Sequence, residues 1–141
     1  MTNFVDLVYF LRAPKYPVII DIDGVLLAAK SVKPLYKKLS QLDIVEKQHY
    51  DAIDRTGEPW TFHVMQGRGI LSPFTFKNQP TKLKIIRWFN NRKNKPANEV
   101  KYSEKSLSSK KRDLIIAEIA DRLLEAEKLT SQHRVASPPG D

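Results

Sequence analysis

Val18-Ile-Ile-Asp-Ile-Asp-Gly-Val-Leu-Leu-Ala-Ala29 is the stretch on which the fold turns. Two apolar runs flank Asp23-Gly24, the dipeptide best suited to a two-residue turn in which both central positions take positive φ. The reading is strand, turn, strand. A second β-rich stretch lies downstream. Tyr50-Asp-Ala-Ile-Asp54 alternates, Arg55-Thr-Gly-Glu-Pro59 turns, and Trp60-Thr-Phe-His-Val-Met65 returns. The glycines at 67 and 69 then break the chain before a further strand within 70–76.

Helical spacing surrounds these strands. Phe4, Leu7, Val8 and Leu11 predict a helix over 3–12, stopped by Pro14 and Pro17. Ser31 as N-cap with Val32, Leu35, Leu39 and Leu42 predicts another over 31–42. Thr81 caps a third over 81–91, whose Leu83, Ile85, Ile86, Trp88 and Phe89 face inward while Lys84, Arg87, Asn91 and Lys95 face out. Residues 92–107, polar and basic with Pro96, read as a linker. A last amphipathic helix follows Ser108. Helices mixed with hairpins, rather than alternating βαβ units, predict an α+β fold with antiparallel pairing. The expected organisation is a compact domain at 1–91, a basic linker at 92–107, an amphipathic helix at 108–129 and a disordered tail at 130–141.

The 141 residues contain no Cys, which excludes a disulfide framework, thiolate catalysis and Cys-ligated metals. Apolar runs fall far short of the ~20 residues of a membrane helix, and the N-terminal residues lack a signal-peptide pattern. A cytoplasmic protein with no membrane span is the expectation. His49, His63 and His133 stand apart, without the spacing of a metal site, so neither metal nor cofactor is expected.

The net charge is +8, and residues 77–113 hold twelve Lys and Arg against three acids, so this quarter of the chain carries the whole excess. Clustered cations attract phosphates, and binding releases condensed counterions. The expected function is therefore non-enzymatic binding of nucleic acid or an acidic protein surface. Its contacts would be Lys82, Lys84, Arg87, Asn91, Arg92, Lys93, Lys95, Lys101, Lys110, Lys111 and Arg112. The alternative is a protein-interaction or assembly factor. In it the stripe Leu114, Ile116, Ile119 and Leu123 meets a partner or a second copy through 109–128.

Two short stretches resemble known families. Val18-Ile-Ile-Asp-Ile-Asp-Gly-Val-Leu26 resembles the first motif of haloacid-dehalogenase-type phosphatases. The resemblance implies a parallel α/β sheet, Asp21 as nucleophile, Asp23 as general acid/base and a magnesium ion. It covers nine residues, and residues 43–141 lack the acidic pair that completes that magnesium site; it is kept as a remote alternative. Trp88-Phe-Asn-Asn-Arg-Lys-Asn-Lys95 resembles the recognition helix of homeodomains, which implies Asn91 on an adenine edge and Arg92 and Lys95 on phosphates or bases. That family needs two preceding helices, and residues 50–77 read as β structure instead.

Overall fold

The computed structural model describes residues 4–136, with side chains described through 129. The chain is a mixed α+β domain. Strands β1 (Asp6–Tyr9), β2 (Val18–Ile22), β3 (Val25–Ala29), β4 (Tyr50–Ile53), β5 (Pro59–Met65) and β6 (Arg68–Pro73) form one sheet in the order β1-β6-β5-β4-β2-β3. Every neighbouring pair is antiparallel except β1 with β6. Helices α1 (Val32–Leu39), α2 (Lys82–Asn90) and α3 (Arg112–Ala136) complete the domain, with a short 3-10 turn at Glu104–Leu107.

The hairpins rest on turn chemistry. Asp23 and Gly24 both have positive φ (52° and 94°), joining β2 to β3. Gln66 and Gly67 (53° and 77°) do the same between β5 and β6. The Asp21 carboxylate closes the first turn by accepting the Gly24 N–H at 2.8 Å.

Strand β2 is apolar almost throughout because both of its faces are covered. Val18 and Ile20 pack with Leu27, Trp60, Phe62, Leu71 and the α1 residues Leu35 and Leu39. Ile19 points the other way, with Leu26, Ala28 and Ile53, against Ile85, Ile86 and Phe89 of α2 and Ile115, Ile116, Ile119, Ala120 and Leu123 of α3. A sheet with two apolar faces must be covered twice.

Three expectations are corrected by the structure. Ile116, Ile119 and Leu123 are buried against the chain's own sheet, and of the stripe offered to a partner only Leu114 stays exposed. Residues 92–107 are no loose linker. Asn94 Nδ2 donates to the Leu26 carbonyl at 2.9 Å while its Oδ1 accepts the Leu26 N–H at 3.0 Å, which closes the free edge of β3. Asn90 and the Tyr102 backbone exchange two further hydrogen bonds, and Tyr102 is buried. The last helix begins at Arg112 and runs through Ala136, into the stretch read as a tail; residues 137–141 lie outside the described residues.

The N-terminal stretch read as a helix is a strand instead. Leu7 and Tyr9 alternate toward the α1 face, and β1 pairs in parallel with β6 in the register Leu7↔Gly69 and Tyr9↔Leu71. Four residues are too few for periodicity to separate helix from strand, and the distant partner decides. No helix among the described residues is long and apolar enough to cross a membrane.

Candidate polyanion-binding cleft

Helix α2 starts where Thr81 accepts the Lys84 N–H at 3.1 Å. Its inward stripe fixes its rotation against the sheet, and Lys84, Arg87 and Asn91, at spacings of three and four, then share the outward face. The β2–β3 turn stands opposite. Between them lies a cleft of about 380 Å³ lined by Asp21, Gly24, Leu26, Lys84, Arg87, Trp88 and Asn91, with Thr81, Leu83 and Arg92 completing the wall. Lys93 is anchored at the turn, because its N–H donates to the Gly24 carbonyl at 2.8 Å. Its stem crosses Gly24 so closely that a Cβ there would sit 2.9 Å from the Lys93 Cε.

The charges within the cleft are unequal in freedom. Lys84 Nζ lies 5.6 Å from the centre of the half-buried Trp88 ring. Arg87 Nε is 3.7 Å from Glu104, with both side chains more than half exposed, so the pair contributes at most about 1 kcal/mol. Asp21 is the one acid in the cleft wall. Burial raises its carboxyl above the ordinary value. The Gly24 N–H opposes that rise, Asp51 and Asp23 add to it, and Lys93 lowers it. Asp51 has its own cation, Lys77, at 2.6 Å.

The eleven polar residues expected to bind divide. Lys84, Arg87 and Asn91 meet at the cleft, and Lys93 lies beside it against Gly24. Lys95, Lys101 and Lys111 are exposed, with no ion pair among the described residues. Arg92 is a correction, since its side chain is 1% exposed. It donates to the Phe89 carbonyl at 2.8 Å and to both oxygens of Glu99 at 2.7 and 2.5 Å, holding the C-terminal end of α2 to the segment that follows. Lys82 donates to the Leu107 carbonyl at 3.1 Å. Lys110 is paired with Glu118 at 2.7 Å. That hydrogen bond raises the Lys110 ammonium and lowers the Glu118 carboxyl. Arg112 donates to Gln79 at 2.8 Å and lines a separate opening with Arg55, Thr56 and Asp113.

The cleft contains a residue that the charge count passes over. Asp21 precedes α2 by some sixty residues, and nothing local to it signals a shared site. Asp23 accepts from Gln48 Nε2 at 3.2 Å. Strand β2 is antiparallel to both neighbours, so the parallel sheet implied by the phosphatase motif is absent. Residues 50–77 hold β4, β5 and β6 in place of the two helices that a homeodomain requires. Among the described residues no group of three or more His, Asp or Glu side chains could hold a metal ion. Comparison with family models, curated proteins and solved structures finds no match.

Proposed function

We propose that the protein is a non-enzymatic binder of polyanions, nucleic acid first among them, acting through the α2 cleft and the exposed lysines beside it. The observation that carries this reading is convergence. Lys84 and Arg87 of α2 line one cavity, Lys93 of the following segment lies across Gly24 at its rim, and among the described residues only the loose Glu104 contact opposes them as an ion pair. Lys95 and Lys101 extend the same segment with exposed charge that has no ion pair among the described residues. The assembly reading loses its motive, because the α3 stripe is spent on the sheet.

Fluorescence anisotropy of a labelled single strand across a salt series tests the proposal. Neutralising about three or four phosphates predicts a slope of log K on log salt of about −2 to −3. Exchanging Lys84, Arg87 and Lys93 for Glu is expected to abolish binding while leaving the fold intact, since all three are exposed. Undiminished binding by that variant would move the interface elsewhere on the molecule.

A further inference from the structure

A pure phosphate-binding cleft has no use for a carboxylate, yet Asp21 forms part of this wall. No ion pair neutralises it among the described residues; Lys93, which lies across Gly24, favours its ionised form without pairing with it, and Lys77 is held by Asp51. A carboxylate that repels phosphate is useful where the ligand also carries N–H donors. A nucleobase carries them, whereas polyphosphate and sulfated sugars do not. Resting on the proposed function, we infer that the cleft takes one unpaired guanine, stacked on Trp88 with its Watson–Crick edge on Asp21 and Asn91, while Lys84, Arg87 and Lys93 hold the flanking phosphates.

Four observations point the same way. Guanine presents two parallel donors, N1–H and the N2 amine, beside the O6 acceptor. Asp21 Oδ1 is partly used by the Gly24 N–H, but Oδ2 and the remaining lone pairs can accept both donors, and the Asn91 amide can donate to O6. Adenine, cytosine and uracil each offer fewer donors on that edge. Burial raises the cost of an ionised Asp21 that goes unpaired, so bidentate donors relieve it. Trp88 supplies the platform. It is half-buried, with the ammonium of the exposed Lys84 above its ring, a position that a stacked base would take as the lysine turns to a phosphate. The volume of about 380 Å³ lies at the lower end of small-ligand sites, which run ~300–1,000 Å³.

Trp60, the other tryptophan, is 1% exposed, so a change in emission on binding reports Trp88. The full chain is titrated with short thymine strands carrying one central guanine, adenine, cytosine or thymine, and in parallel with inorganic polyphosphate. The guanine strand is expected to bind about tenfold more tightly than the all-thymine strand, in keeping with a bidentate base contact, and to quench emission. Trp88→Phe should lose the quench. Asp21→Asn should bring the guanine strand to the thymine level, and Asn91→Ala should reduce the preference several-fold. Equal affinity for all four strands, or a guanine preference that survives Asp21→Asn, overturns the inference. Salt-sensitive binding of polyphosphate and of every strand alike would overturn the base site and keep the polyanion reading, whereas no binding of either at low salt overturns both.

Discussion

Glu99→Gln separates a structural role for Arg92 from a ligand-binding one. The Arg92 guanidinium is 1% exposed and the Glu99 side chain 9%, with contacts of 2.7 and 2.5 Å between them and the Phe89 ring 4.0 Å from the Arg92 Cζ. An amide in place of the carboxylate keeps one acceptor but sets N–H groups against N–H groups and leaves a buried cation without its counter-charge. Removing one partner of a buried pair costs about 3–5 kcal/mol. Domains hold together by only ~5–15 kcal/mol in total, so the loss is a large share. At roughly 3–4 °C per kcal/mol for a chain of this length, Tm falls by about 10–20 °C. Thermal melts followed by circular dichroism read that fall. Anisotropy at a temperature where the variant is folded should show affinity for a short strand within about twofold of wild type. Replacing both partners with Leu should recover most of the stability, since a buried pair roughly balances its own desolvation. An unchanged Tm in Glu99→Gln would refute the structural role. Tenfold weaker binding by a folded double variant would return Arg92 to the ligand.

Burial keeps the Asp21 carboxyl above 3.8, so the stability it contributes is complete below that value and lost as pH rises through the raised one. Asp21→Asn keeps an oxygen for the Gly24 N–H and should melt higher than wild type at pH 7, with the gain gone by about pH 3 in paired melts. The His63 imidazole is pushed below 6.5 by burial and by His49, whose ring stacks on it at 4.4 Å. Its contribution is complete above pH 6.5 and declines as pH falls, so His63→Phe should flatten the drop in Tm between pH 7 and 5; an equally steep drop would place the acid sensitivity elsewhere. Asn94→Ala uncovers the Leu26 N–H and C=O on the β3 edge. It should cost about 1–2 kcal/mol in urea melts and promote self-association in sedimentation runs.

Local chemistry carries part of this fold plainly. Asp23-Gly24 names its own turn, and the Thr81 cap with the Ile85, Ile86 and Phe89 stripe names α2 and its rotation. Residues 4–11 carry the spacing of a helix, and β6, some sixty positions away, selects the strand instead. Polar composition misleads at 92–107. Arg92, Asn94 and Tyr102 look like solvated linker residues in sequence, and each is fixed by a partner that only the fold brings near. The long stripe of α3 advertises a partner in the same way, and that partner proves to be the second face of the sheet. Of the candidate site, the outward face of α2 was legible from helical spacing. The opposing wall, with Asp21, was not, because it is a product of the hairpin docking beside α2.

The central claim is that anions bind at the α2 cleft. Amide chemical-shift mapping of the labelled full chain with a short single strand tests it most directly. The account predicts that the signals of Gly24, Lys84, Arg87, Asn91 and Lys93 move together and return as salt is added. Shifts gathered around Arg55 and Arg112, along the outer face of α3, or nowhere at low salt would contradict it.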